Sequence, residues 1–395
     1  MIASSNLHNS KKNKEDEFYT ELGMIENELK HYKNHFKGKT VFCNCDDPYE
    51  SNFFKYFAIN FNSLGLKKLI TTCYVTSPVM FTQLSLFDEP ETEKASDEGK
   101  KPYKLEITEV KDETGDGSIG LADVEYLIKN NKNVLSLLKG SGEYGAGDFR
   151  SDECIALLKE ADIVVTNPPF SLFREYMGML LQYEKKFLII GRASAISYKE
   201  LFPYFLQNEI WMGVNSGHFW FKVPDTYEEK RTDFKIDETG QKWRRMGNIS
   251  WFTNLDYIER YEDMPLYKKY SPDLYPTYDN YDAIEVSETK NIPCDYDGIM
   301  GVPVTFMNKY NPNQFEIIGC TQRDCHSEVP DTKKYNDYRE MKQSGIETGS
   351  SGVKTNENPV IVGNDGIHNY YVNSEGRMVQ SLSTRIFIRR KDHEN

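Results

Sequence analysis

An α/β fold is predicted for this chain: a mostly parallel sheet with helices on both faces, followed by an irregular C-terminal region. Three observations predict it. Apolar strand-like segments alternate with helix-spaced segments over roughly the first 210 residues. One of them, ADIVVTN (161–167), is almost continuously apolar, as a strand covered on both faces is. Beyond about residue 210 the pattern changes to short aromatic strands and then to Tyr- and Pro-rich stretches (265–300).

The elements follow in order. Residues 1–14 are polar and charged, and read as a disordered N-terminus. In 21–36, Leu22, Ile25, Leu29, Tyr32 and Phe36 share one helical face. KTVFCNC (39–45) is a short strand, followed by the turn-forming DDP and a helix near 50–64. KKLITTCYV (67–75) is a second strand. Residues 84–101 lack periodicity and read as an inserted loop. KLEITEV (104–110) alternates as a strand does, and 121–131 is helical. NVLSLLK, ahead of the glycines at 140–145, is helix-like. After ADIVVTN come a helix (172–183), the strand KFLIIG (186–191) and a helix (197–207). HFWFKVP (218–224) and NISWFTNL (248–255) are aromatic strands. The expected organisation is a catalytic domain over 15–255 and a C-terminal region over 256–395.

Composition narrows the class. The chain has 395 residues, 38% hydrophobic and 28% charged, which suits a soluble globular protein. No apolar run approaches the roughly 18 residues of a membrane span, and the N-terminus lacks the apolar stretch of a signal peptide. The seven cysteines, an odd count without a secretion signal, read as reduced thiols of a cytoplasmic protein. The net charge of -13 disfavours a nucleic-acid partner only if the whole chain is averaged; a local basic face suffices. Two runs qualify. Lys242-Trp243-Arg244-Arg245 is compact and basic, and reads as lying between two aromatic strands. Residues 377–391 include Arg389 and Arg390 and contain no acid. Each run reads equally as a phosphate contact or as solvated surface, with Arg244 and Arg245 otherwise paired to nearby acids.

The chemistry concentrates at Asn167-Pro168-Pro169-Phe170, at the C-terminal edge of the apolar strand, where open parallel sheets bind ligands. An aromatic amino nitrogen is a poor nucleophile because its lone pair is delocalised into the ring. Two acceptors placed on its N–H groups favour a tetrahedral nitrogen and return the lone pair. The Asn167 side-chain oxygen and the Pro168 carbonyl suit that task, on a turn that two prolines stiffen. Phe170 can stack on a base flipped out of its duplex. The structural alternative is a Pro-Pro turn after a buried strand. Asp148 and Phe149, ahead of a helix, can accept from an adenine amino group and cover its ring, although a loop Asp is more often a helix cap. Asn44 lies at the end of the first strand, and Asp46, Asp47 and Pro48 follow it, where a nucleotide-like ligand sits above a helix N-terminus or where a cap stands. Phe18, Tyr19 and Thr20 can pack on a methionine moiety or staple the next helix.

Taken together, DEFYT (16–20), FKGKTVFCNCDDPYESNFFKYF (36–57), GDFRS (147–151), ADIVVTNPPFSLFREYM (161–177), GQKWRRMGNISWFTNL (240–255) and CDYDGIMGVPVTF (294–306) resemble the adenine-specific DNA methyltransferases of the EcoRI type. The resemblance implies a class I S-adenosylmethionine-dependent methyltransferase, with a Rossmann-like sheet and a C-terminal target-recognition region. It implies S-adenosyl-L-methionine as donor and an adenine N6 of double-stranded DNA as acceptor. No membrane and no obligatory protein partner are expected, and GAATTC is the first recognition sequence to consider. Carried over by position, Asn167, Pro168, Pro169 and Phe170 are the catalytic tetrad. Phe18, Tyr19 and Thr20 form the methionine-side motif, Asp46, Asp47 and Pro48 the first-strand loop, and Asp148 and Phe149 the cofactor-adenine contacts. Two departures stand out: the first-strand loop has no glycine at 48–51, and LITTCYV does not end in the acid that holds the ribose.

Three other patterns carry less. Gly140 to Gly145 matches GxGxxG but follows no clear strand. Asp112 to Asp123 imitates a calcium loop with the wrong last residue and a strand ahead of it. Cys320, Cys325 and His326 lack a second zinc-spaced pair, so no metal is expected. Other functions compatible with the tetrad are methyl transfer to RNA or to a protein glutamine, and an inactive DNA-binding relative.

Overall fold

A computed structural model describes residues 19–45, 51–73, 102–130, 135–140, 143–223, 227–321, 329, 333–352 and 356–391. The expected disordered start at 1–14, Phe18, Asp46, Asp47, Pro48, the loop 84–101, Cys325 and His326 lie outside the described residues. The chain forms two compact units, Met1–Arg192 with Met212–Tyr257, and Ala193–Trp211 with Ile258–Asn395.

The first unit is built on one ten-stranded sheet. In chain order its elements begin with β1 (Tyr19–Thr20), α1 (Leu22–Leu29), β2 (Thr40–Cys43), α2 (Asn52–Ile59), α3 (Phe61–Leu64) and β3 (Lys68–Thr72). Then come β4 (Tyr103–Ile107), α4 (Leu121–Asn130), β5 (Leu135–Leu137), α5 (Asp152–Glu160), β6 (Ile163–Thr166), α6 (Phe173–Gln182) and β7 (Lys186–Arg192). The sheet closes with β8 (Trp211–Lys222), β9 (Phe234–Ile236) and β10 (Lys242–Thr253), in the order β1-β8-β10-β7-β6-β2-β3-β4-β5 with β9 beside β10. The four central strands, β7-β6-β2-β3, pair in parallel. β4, β5 and β10 run antiparallel to their neighbours, so the sheet is mixed, with a parallel heart. All four residues of β2 and of β6 are buried, which is why these strands read as apolar runs.

The first helix is shorter than expected, ending at Leu29, so Tyr32 and Phe36 lie beyond it, and Leu22 is only partly buried. Ile25, Leu29, Tyr32 and Phe36 are nonetheless fully buried beside Phe57 and Trp251. Each such side chain contributes about 1.5–3 kcal/mol. A buried carboxylate ties this helix to the sheet. Glu28 accepts from Tyr32 Oη and Val214 N at 2.9 Å, and from Asn215 N and Nδ2 at 2.8 Å. Burial pushes its carboxyl above the ordinary value, against the pull of these donors. Gly213 lies so close that an added Cβ would strike Glu28 and Trp251.

Four further readings are corrected. NVLSLLK is not helical: residues 135–137 form β5, paired antiparallel with β4, and a short apolar run alone does not separate the two states. The run Lys242–Arg245 does not lie between strands but begins β10; only residues 249–253 of that strand are buried, so its hydropathy pattern marks only its second half. Cys320 is disulfide-bonded, since an odd total does not prevent one pair; Cys43, Cys45, Cys73, Cys154 and Cys294 carry thiols. The region after 256 is richer in strands than expected. It holds a four-stranded sheet, β11 (Ile284–Glu285), β12 (Met300–Pro303), β19 (Arg385–Arg390) and β13 (Phe315–Cys320). It also holds a five-stranded sheet, β15 (Glu347–Ser351), β14 (Arg339–Met341), β17 (Tyr370–Val372), β18 (Met378–Ser381) and β16 (Val360–Val362). Strands of three to five residues are too short to print a period. In this unit a buried Arg385–Glu285 pair (2.7 Å) joins β19 to β11. No helix among the described residues is long and apolar enough to cross a membrane.

Candidate active site

Strand order reverses at β2, whose neighbours are β3 on one side and β6 on the other. The crevice beyond the carboxyl ends of β2 and β6 is therefore the topological switch point of the sheet. β2 delivers Asn44 to it and β6 delivers Asn167. The Thr166 hydroxyl donates to the Asn44 carbonyl and joins the two strand ends.

Asn44 is fully buried. Its Oδ1 accepts from Thr72 Oγ1 at 2.8 Å and from Cys45 N at 3.0 Å, with Cys45 held in the left-handed region at φ 67°. Its Nδ2 has no partner among the described residues. Thr20 sits in β1 opposite Phe221 and is also buried; its carbonyl accepts from Asn52 Nδ2 at 2.8 Å, and its hydroxyl has no partner among the described residues. A buried polar group left unpaired costs about 1–3 kcal/mol, and both of these are donors that an oxygen acceptor would satisfy. Tyr19 pairs with Lys222 in register. Ser51 caps α2 with its hydroxyl, accepting from Phe53 N at 3.1 Å.

The tetrad turns sharply out of β6. Pro168 is buried, and Asn167, Pro169 and Phe170 are half-buried. The Pro169 carbonyl accepts from Leu172 N at 3.0 Å and starts the turn into α6. Phe170 meets Phe221 edge-on at 6.2 Å, and the Arg192 guanidinium lies 5.8 Å from its ring. Phe221 is thus shared: it pairs with Thr20 and packs on Phe170, so sequence-distant residues 20, 170 and 221 meet.

The Asp148 turn lies just before α5. Asp148 is buried and pairs with Arg150, Nε to Oδ1 and Nη2 to Oδ2, both at 3.0 Å. Phe149 is buried, with its edge against Tyr176 of α6 at 5.1 Å. Cys154, beside Ser151 and Thr72, is pushed up to about 11 by burial and remains an inert thiol.

The basic strand forms an overhang. β10 pairs with β7 only from Ile249 to Thr253, and Ile249 lies opposite Arg192, the last residue of β7. Residues 242–248 therefore run past the carboxyl end of β7 for about 23 Å. β9 flanks them, with Trp243 opposite Lys235, and Val223 N donates to the Lys242 carbonyl at 3.0 Å. The expected basic residues are engaged here. Lys242 Nζ donates to the Tyr227 carbonyl (3.1 Å), Arg244 to the Thr232 carbonyl (2.5 Å), and Arg245 pairs with Asp233 (2.5 Å). Sequence reasoning missed Lys235, whose Nζ lies 4.6 Å from the Trp220 ring and 5.5 Å from that of Trp243. The turn-forming DETGQ between FKI and KWRR was the signal for that hairpin. In the second unit, Arg389 faces Glu316 across β19 and β13 at 3.6 Å, and Arg390 donates to the Cys294 carbonyl.

The other motifs are occupied by their own backbone. Asp123 accepts from Glu113, Thr114 and Gly120 amides and is held at about 2 by them; Asp112 accepts from Gly115 and Gly117. The Lys139 and Gly140 amides both hold the Glu153 carboxylate at 2.8 Å, and an added Cβ on Gly140 would strike the Ala146 backbone. No cluster of metal-ligating side chains occurs among the described residues.

Residues 6–391 match the family model described as adenine-specific methyltransferase EcoRI. The chain is 48% identical over 317 residues to the Type II methyltransferase M.EcoRI of Escherichia coli, across 79% of this chain and 88% of that protein. It is 36% identical over 345 residues to the Type II methyltransferase M.MgeORF184P of Mycoplasma genitalium, across 86% and 93%. It is 36% identical over 321 residues to M.MpnI of Mycoplasma pneumoniae, across 80% and 85%. No solved structure matches the chain.

Proposed function

The chain belongs to the EcoRI family of adenine-specific methyltransferases, and from that premise we propose that it methylates N6 of an adenine flipped out of double-stranded DNA, with S-adenosyl-L-methionine as donor. The relatives are Type II methyltransferases, which supports restriction-modification as the biological setting; action in the cytoplasm without an obligatory protein partner is part of the same proposal. The observation that carries the reading is the pair Asn44 and Asn167 at one switch point, the first with an orphaned buried amide and the second in the tetrad.

The two orphaned donors fit this cofactor. Asn44 Nδ2 and Thr20 Oγ1 suit its carboxylate and hydroxyl oxygens, while Asp148 suits its adenine amino group. When bound, it supplies an electrophilic methyl on a sulfonium. Phe18, Tyr19, Asp46, Asp47, Pro48 and Phe149 complete the proposed cofactor wall. Asn167 Oδ1 and the Pro168 carbonyl accept the two N–H bonds of the target amino group and return its lone pair, and Phe170 lies against the base. DNA lies along the overhang of β10 (Lys242, Arg244, Arg245), and the C-terminal region 256–395, with Arg389 and Arg390, reads the sequence.

The test offers labelled S-adenosylmethionine to GAATTC duplexes, unrelated duplexes, RNA and protein in parallel. N6-methyladenine in duplex DNA alone is expected. Label on RNA or on protein glutamine instead, or on nothing, would overturn the proposal in favour of an amide or RNA enzyme or an inactive relative.

A further inference from the structure

Arg150 is engaged from several sides, beside the Asp148 turn. Its fork meets Asp148 through two bonds of 3.0 Å, and its own amide N–H adds a third to Oδ1 at 2.9 Å. Its remaining arm, Nη1, reaches Glu175 Oε2 of α6 at 2.6 Å. The guanidinium lies 4.4 Å from the Tyr144 ring and 5.1 Å from that of Phe149. Its rotamer is therefore fixed from several sides, by residues before α5 and by the helix that follows the tetrad.

A carboxylate offers about four lone-pair sites and no donor. Three of those on Asp148 are taken by Arg150, two on Oδ1 and one on Oδ2. One acceptor site remains, on Oδ2, and its direction is set by the fork. A bidentate guanidinium has this geometric authority; a point cation does not.

We propose that Arg150 is a positioning residue that leaves Asp148 a single, aimed acceptor and thereby makes the cofactor pocket select a purine with a 6-amino group over one with a 6-oxo group. This rests on the reading that Asp148 faces the cofactor's base. An amino group donates one N–H to the remaining site on Oδ2. A 6-oxo group brings a second acceptor to the same place, with no proton between them. If the fork is removed, the carboxyl can turn about its own axis, and the site no longer holds its lone pair on the 6-position. Glu175 then loses its partner as well, so the tie between this turn and α6 is lost.

The experiment measures equilibrium binding of S-adenosylhomocysteine and its 6-oxo counterpart S-inosylhomocysteine to the full chain by titration calorimetry, with thermal melting to confirm folding. The wild-type chain is expected to prefer the adenosyl compound by about a hundredfold or more, because a site built to pair one polar group rejects the analogue that cannot. In Arg150→Gln that preference should shrink by roughly tenfold or more, the scale of one hydrogen bond to a charged group. Arg150→Lys keeps the charge without the fork and should recover only part of it. Asp148→Ala should bind both compounds weakly and with little preference. Equal weakening of both compounds in Arg150→Gln, with the preference intact, would reduce Arg150 to a structural tie and overturn the proposal alone. Wild-type affinity and preference in Asp148→Ala would overturn the underlying placement of the base and the proposal with it.

Discussion

The Thr72 hydroxyl donates to Asn44 Oδ1 at 2.8 Å, so the end of one parallel strand sets the amide at the end of its neighbour. The register that pairs Thr71 with Cys43 brings these two residues side by side. The bond fixes which way the orphaned Asn44 Nδ2 faces. Thr72→Val removes it without changing shape, and should weaken S-adenosylhomocysteine binding by roughly threefold to tenfold. Asn44→Ala should weaken it further. Calorimetry on both variants checks this; unaltered affinity in Thr72→Val would mean that the amide is aimed by other groups.

At the neighbouring strand end, Asn167→Ala should abolish transfer while cofactor binding survives. Losing one positioned transition-state hydrogen bond costs on the order of 10²–10³ in rate. Single-turnover transfer, compared with binding of S-adenosylhomocysteine, separates the two effects. Near wild-type turnover would exclude the acceptor role of this side chain.

Much of this was legible because burial writes itself into residue order. β2 and β6 are buried throughout, so TVFC and IVVT stand out. Their ends place Asn44 and Asn167 before any coordinates are known. The overhang was not legible in the same way. Residues 242–248 bury little, so nothing there repeats with a period of two, and the strand was cut short. Which acid pairs with which base was hidden for another reason. Asp233 neutralises Arg245 from 12 residues away, and Glu175 reaches Arg150 from 25 residues away; such pairings belong to topology, not to spacing. In the C-terminal unit, Glu285 and Arg385 lie 100 residues apart and meet only because β12 separates β11 from β19.

On the proposed DNA-binding reading, the overhang ranks its own cations. Arg245 already pairs with Asp233, and both are partly exposed, so the pair is worth little to stability but lowers the charge offered to a phosphate. Lys235 stands between two indoles instead. Lys235→Ala should lower the slope of log K against log salt by about 0.9, the value for one lost phosphate contact. Arg245→Ala should lower it less, and Arg389→Ala less than Lys235→Ala, since Glu316 faces Arg389. Salt titrations of duplex binding decide the order; an unchanged slope in Lys235→Ala would move the contact off this hairpin.

The same hairpin carries a pH signature. Hydrogen bonds from Thr239 and from Trp243 Nε1 hold the Asp237 carboxyl at about 2, below its ordinary 3.8. A depressed carboxyl contributes stability that is complete above its unfolded pKa and is lost as pH falls through the folded one. The stability difference between the wild-type chain and Asp237→Asn should therefore be constant above pH about 4 and close as pH falls toward 2. Denaturant melts at several pH values measure it. A gap that persists to the acid end would mean that the carboxylate charge is not what latches the turn.

β10 belongs to two neighbourhoods at once: its last five residues are core, and its first seven stand beyond β7. Insertions into such a strand are quantised. One extra residue between Trp243 and Asn248 would rotate everything upstream by half a pleat and turn the indole–lysine face to the opposite side, while the core half kept its register. Two extra residues would restore the faces and lengthen the reach by about 7 Å. Lineages that change the span of this arm are therefore expected to do so in even steps, with length drifting freely only in the turn at 237–241.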